Sequence, residues 1–369
     1  MGEYYSPSDT RPLSIVNTDN RIIASAMRLT WEPIFNNWVS KVQRGFLKGR
    51  SMLANIIDID EASMTVSLTE RYGGLILFDF KAAVPSLNHD YLINCLERLG
   101  IPDFVLNAVK TLYSQVRCVL RVKGADHGEI DMEAGVRQGC PLSPLLFAVT
   151  VDLLLRRLTR LFPDATFRAF ADDIGAVFKN IVGDARMIME VFKQFGAASG
   201  LDLNFPKTVV IPLWDELEPN AKQEMTAKDS SWSGVEFREV ATYLGFVIGP
   251  GKGDSSWDKA CRKYFQRVWL WSAQKQGLHI SIYAYNTLAI SVLSFLAQLE
   301  EPPTEVLDTE LMMLRKRRVV LATGCRQRTF GTLMKVMVST SRLFQLRCFP
   351  KPPSSVSFFR ESGQSMGLR

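Results

Sequence analysis

Apolar positions along this chain follow two periodicities, and the balance between them changes near residue 250. Before that point, short apolar or alternating runs predict strands, and apolar residues three or four positions apart predict helices between them. The predicted strands are residues 74–80, 116–123, 129–134, 208–213 and 241–248, with a hairpin over 166–178. The predicted helices are residues 88–99, 102–115, 143–161 and 185–199. Interleaved strands and helices predict an α+β fold.

A glycine-rich break at residues 249–253 separates this body from a segment whose pattern is almost wholly helical. We therefore predict three parts: an α+β body over residues 1–253, a helical domain over 254–325, and a basic, partly disordered tail over 326–369. Disorder is predicted for the end of the tail because proline and serine are frequent from Pro350 onwards.

One stretch raises the question of a membrane, because residues 276–299 contain no Asp, Glu, Lys or Arg and are long enough to span a bilayer. Polar side chains interrupt it, among them Asn286 and Gln298, and such groups are unfavourable inside lipid. We therefore predict a buried helical hairpin in a soluble domain and expect no membrane partner.

The chain is basic overall, with a net charge of +6 and a pI near 9.0, but the charge is unevenly distributed. Residues 311–369 hold twelve Lys or Arg and one acid, a net charge of +11, so the other 310 residues carry −5. A basic end beside a mildly acidic body favours a polyanionic partner, although a solvated tail would have the same composition.

The positions of the cysteines and histidines indicate which metal sites the chain can form and in which cellular compartment it is expected. The six cysteines lie at least 22 residues apart and the three histidines do not cluster, which disfavours a zinc finger. Scattered thiols are typical of reduced, intracellular proteins. The first residues lack the basic start and apolar core of a signal peptide. We expect an intracellular protein of the nucleus, the cytoplasm or both.

Two acidic signatures stand 93 residues apart, each after a predicted buried strand: Asp79, and the pair Asp172 and Asp173. A buried unpaired carboxylate is very unfavourable, so carboxylates at two strand ends indicate convergence on cations such as Mg²⁺. Asp79 and Asp172 form the natural pair, and the Phe80 carbonyl is a further candidate oxygen ligand. Because adjacent strand side chains point apart, Asp173 is predicted to be a secondary ligand or support. Each signature alone is equally typical of a cap or turn.

A loop rich in glycine and proline lies between the acids, at residues 135–147. Glycine lets backbone approach a ligand closely, and proline makes the loop rigid. Arg137 and Gln138 would be presented there to a nucleotide or template. A helix-entry loop with incidental polar residues is an equal alternative.

The order of these motifs is more specific than any one of them. The series is Arg11–Ser14, Gln43–Ser51, Phe78–Phe80, Gly135–Phe147, Phe170–Asp173, Gly200–Thr208 and Tyr243–Gly245. From about residue 11 to about residue 325, it closely resembles the reverse transcriptase domain of non-LTR (LINE-type) retrotransposons. The resemblance implies a right-hand polymerase, with fingers and palm in residues 1–253 and an appended helical thumb in 254–325.

The resemblance also implies an activity and its partners. The expected activity is that of an RNA-directed DNA polymerase that uses two Mg²⁺ ions, with Mn²⁺ as an alternative. The expected partners are an RNA template, a DNA or RNA primer and dNTPs, while the oligomeric state stays undefined.

Residue by residue, the palm motifs match as follows. Asp79 matches the first metal ligand of the palm and Asp172 the second, with Asp173 beside it. Lys207 matches a lysine near the triphosphate that is a candidate general acid for pyrophosphate. A solvated lysine at the start of a strand is an equal alternative for Lys207, since lysine is usually exposed.

The loop and finger motifs add nucleotide-binding candidates. Gln138 and Gly139 match the loop that contacts template and incoming nucleotide. Arg11 and Arg21 match basic finger positions near the triphosphate, where the planar fork of arginine pairs with phosphate. Either arginine could equally be a surface residue.

Three further segments complete the resemblance. Residues 43–51 match a finger segment that touches template, with Lys48 and Arg50 as candidate phosphate contacts. Residues 243–245 match the primer grip and, without the resemblance, indicate an edge strand. The basic run 315–318 of the thumb-like segment fits a duplex backbone, while a solvated helix face and a nuclear-localisation patch are alternatives.

One departure concerns substrate choice and another concerns completeness. Val84 stands five residues after Asp79, where the family usually carries an aromatic that excludes the ribose 2′-hydroxyl, so we expect weaker rejection of ribonucleotides.

The endonuclease and zinc knuckle of complete elements cannot be found in the sequence. The alternative function is therefore a catalytically silent or truncated nucleic-acid-binding remnant. RNA-templated RNA synthesis is a third hypothesis, which the motif order disfavours.

Overall fold

The computed structural model of this chain describes residues 15–214, 218–274, 277–304 and 306. The chain divides into two compact units, Met1–Gly251 and Lys252–Arg369. The division falls inside the glycine-rich stretch in which the sequence predicts a boundary. Arg11, the basic run 315–318 and the predicted tail 326–369 lie outside the described residues.

The first unit interleaves helices and strands, as the two periodicities of the sequence predict. Its described helices are α1 (Thr18–Trp38), α2 (Met52–Thr69), α3 (Ala83–Ser86), α4 (His89–Arg98), α5 (Asp103–Tyr113), α6 (Ser143–Leu161), α7 (Ile181–Ser199) and α8 (Glu218–Lys228). Its described strands are β1 (Gly74–Phe78), β2 (Arg117–Val122), β3 (Ala125–Asp131), β4 (Thr166–Phe170), β5 (Asp173–Phe178), β6 (Val209–Pro212), β7 (Glu236–Phe237), β8 (Ala241–Tyr243) and β9 (Phe246–Ile248).

Five of these strands form one sheet in the order β4-β5-β1-β6-β7, and β1 pairs antiparallel with both β5 and β6. Every residue of β1 is buried, because helices cover both faces of the sheet. On one face Phe78 stacks on Phe192 of α7, with ring centroids 4.4 Å apart. On the other, Gly175 of β5 faces Ile59 of α2. A strand buried on both faces has no polar alternation, which explains its continuous apolar run.

The structure confirms the predicted bounds of α6 and the predicted hairpin over residues 166–178. Two other strand predictions are wrong in detail. Residues 241–248 form the hairpin β8–β9 instead of one strand, because Leu244 and Gly245 turn the chain with φ values of 50° and 84°. Strand β3 begins at Ala125 instead of residue 129, because Lys123 and Gly124, at 51° and 84°, make a two-residue turn.

A buried carboxylate ties α6 to the end of α1. Asp152 of α6 is fully buried and accepts hydrogen bonds from the Ser40 N–H at 3.0 Å, from the Ser40 hydroxyl and from Arg156 Nε at 2.8 Å. The Arg156 guanidinium also lies over the Trp38 ring, 4.4 Å from its centroid. Buried charges persist in folded proteins when they are paired in this way, so the cluster holds α1 against α6.

A second ion-pair cluster joins α2 to β4. Asp58 of α2 accepts hydrogen bonds from Arg44 Nη2 at 2.7 Å and from Arg168 Nε at 2.6 Å. Partial burial alone would raise the pKa of Asp58. The hydrogen bonds from Arg168 and Arg44, together with their positive charges, outweigh burial and hold the pKa of Asp58 below its ordinary value.

We expect Asp58 to make stability depend on pH in the acid range. Because its folded pKa lies below the unfolded value of about 3.9, its stabilisation is complete above that pH and disappears as pH falls through the folded pKa. Urea unfolding of the parent and Asp58→Asn over this range measures the difference. As a control, Asp126→Asn removes an exposed pair with Arg121 and should change little. A difference between parent and Asp58→Asn that persisted at the lowest pH would contradict the expectation.

The described part of the second unit is helical. Helix α9 (Ser255–Ala273) is followed by α10 (Leu278–Ala284), and the Tyr264 and Tyr285 hydroxyls hydrogen-bond at 3.1 Å. The prediction of a helical hairpin within residues 276–299 is wrong, because α10 is followed there by short π-helical and 3₁₀ turns. Among the helices that the structure describes, none is long and apolar enough to cross a membrane.

Candidate active site

Asp79 stands directly after β1, where the central strand leaves the sheet. Its carbonyl accepts a hydrogen bond from the Asn204 N–H at 2.8 Å, and its own N–H donates to the hydroxyl of the buried Thr208 at 3.4 Å. Phe80 continues the pairing through a bridge with Leu203. The turn before β6 therefore holds the backbone of the first acid from one side.

Asp172 and Asp173 lie on the neighbouring hairpin, with Ala171 and Asp172 in the bend between β4 and β5. The pairing of β1 with β5 runs up to the last residue of β1, and one position further the same register sets Asp79 across from Asp173. The structure thus brings the three predicted acids to one end of the sheet. The sequence predicts that Asp172 and Asp173 point apart because they are neighbours in one strand. The structure does not have this arrangement, because Asp172 lies in the bend and only Asp173 belongs to β5.

The three carboxylates act on one another electrostatically. Partial burial, and then the negative charges of Asp172 and Asp79, raise the pKa of Asp173 to about 6. The Asp173 side chain still reaches solvent. A cation would relieve this repulsion, and a donor set made of carboxylate oxygens suits the hard ions Mg²⁺ and Mn²⁺.

The acids are nevertheless not arranged as a finished metal site. Within the part of the chain that the structure describes, no three His, Cys, Asp or Glu side chains are placed so that together they could hold an ion. The chemistry of Asp79, Asp172 and Asp173 fits a divalent cation, while their side chains would have to close around it.

The glycine-rich loop after β3 docks just downstream of the first acid. The Gly135 N–H donates to the Leu87 carbonyl at 2.7 Å, and the Val136 N–H donates to the Val84 carbonyl at 2.9 Å. Gly135 has a φ of 87°, and a Cβ there would lie 2.5 Å from the Pro85 carbonyl oxygen. Glycine is therefore required for this approach, which holds the loop against α3.

The predicted binding residues of this loop differ in exposure: Arg137 and Gln138 are half-buried, and Gly139 is exposed. The Arg137 guanidinium lies 5.6 Å from the ring centroid of Tyr113, whose hydroxyl hydrogen-bonds Ser143 Oγ at 3.0 Å. Burial raises the pKa of Tyr113 to about 12, so this ring stays neutral. The neutral ring gives Arg137 a partner at the base of the loop.

Two further predicted residues lie near the acids along the chain. Lys207 is exposed in the turn that binds the Asp79 backbone, and its N–H donates to the Asn204 carbonyl at 3.0 Å. Val84 is half-buried in α3, where its carbonyl binds the glycine-rich loop.

The predicted finger residues that the structure describes lie in α1 and in the segment between α1 and α2, and not in the elements that carry the acids. Arg21 is exposed in the first turn of α1, and Lys48 is exposed between α1 and α2. The Arg50 side chain, predicted to contact phosphate, is half-buried and hydrogen-bonded within the protein. Its Nη1 and Nη2 atoms donate to four backbone carbonyls, those of Asn36, Val39, Ser40 and Gln43. Arg50 therefore anchors the segment between α1 and α2.

The contacts of Gln43 were not predicted from the sequence. Gln43 belongs to the segment predicted to touch template, yet it is fully buried and binds the backbone of Ala171. Its partner lies 128 residues away in the chain, beyond the reach of any local pattern.

Tyr243, from the predicted primer grip, is also buried. Its hydroxyl donates to the Arg168 carbonyl at 3.1 Å, and a Cβ at Gly175 would lie 3.2 Å from its ring. Tyr243 therefore supports the acid-bearing hairpin from the side of α2.

Acids at the ends of neighbouring antiparallel strands, in a sheet with helices on both faces, are the arrangement of a polymerase palm. Residues 4–248 match the family described as "Reverse transcriptase (RNA-dependent DNA polymerase)", and the chain belongs to this family. The membership confirms the predicted α+β polymerase fold class.

Individual relatives are transposon proteins, in agreement with the predicted resemblance to a non-LTR reverse transcriptase domain. The chain is 26% identical over 246 residues to the "Transposon TX1 uncharacterized 149 kDa protein" of Xenopus laevis, a match to 63% of this chain and 18% of that protein. It is 26% identical over 219 residues to the Pol polyprotein of the type-1 retrotransposable element R2 of Popillia japonica, 57% of this chain and 30% of that protein. The telomerase of Candida albicans, solved with a fragment of telomeric RNA, is 12% identical with a TM-score of 0.47, over 89% of this chain and 51% of that one.

Proposed function

We propose that this chain contains the polymerising domain of an RNA-directed DNA polymerase, which adds dNTPs to the 3′-hydroxyl of a DNA or RNA primer on an RNA template. One observation carries the proposal: Asp79, Asp172 and Asp173 meet at one end of the sheet in a chain of the reverse transcriptase family. The chain spans less than a third of the length of the two transposon relatives described above. The proposed activity is therefore that of this domain alone.

The carboxylates of Asp79, Asp172 and Asp173 would hold two Mg²⁺ or Mn²⁺ ions, with the Phe80 carbonyl as a further oxygen ligand. When bound, the ions supply charge stabilisation for the attacking 3′-oxygen and the leaving pyrophosphate. The backbone contacts of Asp79 to the turn before β6 keep that strand end in place, so the first ligand is positioned before substrate arrives.

The residues around the acids would bind the template and the incoming nucleotide and would protonate the leaving pyrophosphate. Lys207 is the proposed general acid, because its ammonium group extends from the turn that binds the Asp79 backbone. Gln138 and Gly139 would contact template and incoming nucleotide from the loop docked on α3. Arg137 adds positive charge beside them.

Primer extension tests the proposal. The purified parent and Asp172→Ala receive a primed RNA template, Mg²⁺ and dNTPs, and we expect extension by the parent alone. If neither extends the primer while both bind RNA in a salt-sensitive manner, the chain is a silent nucleic-acid-binding remnant and the proposal fails. Replacing dNTPs by rNTPs in the same assay separates DNA synthesis from RNA synthesis.

Val84 provides a prediction about sugar selection. Its side chain is smaller than the usual aromatic, so we expect the parent to incorporate ribonucleotides readily, and Val84→Phe to raise dNTP over rNTP selectivity by about tenfold or more. Single-nucleotide incorporation with each substrate measures the ratio. Val84→Ala is the control, since a still smaller side chain should bring no gain in selectivity. Strong discrimination by the parent would contradict the expectation.

A further inference from the structure

A buried glutamine holds the bend that carries Asp172. Gln43 is 0% exposed, and its Nε2 donates to the Ala171 carbonyl at 3.0 Å. Its Oε1 accepts from the N–H groups of Ala171 at 2.9 Å and of Gly45 at 2.8 Å. One side chain therefore satisfies both backbone groups of the residue next to Asp172.

Ala171 needs such support because of its conformation. Its φ of 61° lies in the left-handed region, which residues with a Cβ disfavour. Ala171 is also buried, so its N–H and C=O would lack partners if the glutamine were absent. Gln43 thus favours one conformation of the bend over the others that a free hairpin would sample.

The main chain around Gln43 is itself part of the contact. The Ala169 N–H donates to the Val42 carbonyl at 2.9 Å, and the Arg44 N–H donates to the Ala169 carbonyl at 2.8 Å. At Gly45, an added Cβ would lie 2.1 Å from the Ala171 nitrogen. Residues 42–45 therefore extend the edge of the sheet beside β4 and leave no room for movement of the bend towards them.

We propose that Gln43 is a positioning residue for the acids, which fixes Ala171 and thereby sets Asp172 and Asp173 for cation binding. The inference rests on the proposed function, since it assigns a purpose to the geometry of the same site. Gln43 acts through the Ala171 backbone, and its side chain is fully buried. Its loss should therefore affect turnover and cation binding while the affinity for primer and template is retained.

Gln43→Met tests this, because methionine has a similar volume and makes none of the three hydrogen bonds. The matched control is Thr150→Val, another change of a fully buried polar residue to an apolar one, in α6. We expect Gln43→Met to lower kcat and to raise the dissociation constant for Mn²⁺, measured by electron paramagnetic resonance, each by about 10- to 100-fold. Nucleotide KM and primer–template affinity should be unchanged, and Thr150→Val should alter none of these quantities.

Equal losses in Gln43→Met and Thr150→Val, or unchanged Mn²⁺ binding in Gln43→Met, would overturn the inference. If Gln43→Met does not fold, Gln43→Asn replaces it: the side chain stays uncharged and polar but is too short to keep both bonds to Ala171, and a change of the same kind is expected. If the parent itself extends no primer, the proposed function fails separately. The role of Gln43 is then tested by Mn²⁺ affinity and by hydrogen exchange of the Ala171 amide. Weaker Mn²⁺ binding and faster exchange in the variant would support the inference, and values equal to those of the parent would overturn it.

Discussion

Replacing Asp79 by asparagine is expected to slow primer extension by about 10³-fold or more, because one of three carboxylates that would bind the cations is lost. Asparagine has the same size, and the backbone bonds of this position to Asn204 and Thr208 do not involve its side chain. Stability and primer–template affinity should therefore be retained. Single-turnover extension on a primed RNA template, beside urea unfolding and a binding titration, measures all three quantities.

Asp202→Asn is the matched control for this experiment. Asp202 is exposed and lies in the same turn region, but its contact to the Lys81 N–H, at 2.8 Å, uses the backbone carbonyl. The change removes one negative charge and no proposed ligand, so activity should stay near that of the parent. Equal losses in both variants would indicate an effect of overall charge, and a fully active Asp79→Asn would contradict the assignment of Asp79 as a ligand.

Asp152→Ala is expected to reduce the free energy of unfolding of the first unit by about 1–3 kcal/mol, the usual effect of leaving buried hydrogen-bond donors without their acceptor, since the Arg156 side chain is 44% exposed and can be solvated. The Ser40 N–H and hydroxyl would lose their acceptor, and the charge of Arg156 would lose its partner. Urea unfolding at neutral pH measures the difference. We expect the loss without any direct effect on the acids, because Asp152 contacts the end of α1.

The control for Asp152 is an acid of the same type in an exposed position. Asp164 is paired with Lys179 at 3.5 Å, and its side chain is 80% exposed. Asp164→Ala should therefore change stability by no more than about 0.5 kcal/mol. Similar effects of the two substitutions would show that the buried network around Asp152 contributes little.

Local signals in the sequence were sufficient for much of the fold. Strand β1, helix α6 and the β4–β5 hairpin follow from apolar runs, apolar spacing and the turn-forming acids, since each signal lies within the element that it specifies. The elements that were wrong in detail, the β2–β3 turn and the β8–β9 hairpin, depend on the positive φ of Lys123 and Leu244. Gly124 and Gly245 are local turn signals, but lysine and leucine rarely adopt that conformation, so the sequence does not indicate that the turns begin at Lys123 and Leu244.

The candidate site likewise has features that the sequence shows and features that only the tertiary structure shows. The identities of Asp79, Asp172 and Asp173 could be read from the sequence, because acids after buried strands are conspicuous and the order of motifs is specific to one family. Their mutual register, the anchoring of Arg50 and the contact of Gln43 with Ala171 were decided by the tertiary structure alone. Those contacts join separate segments of chain, and burial of both partners, which no periodicity encodes, determines which polar groups meet.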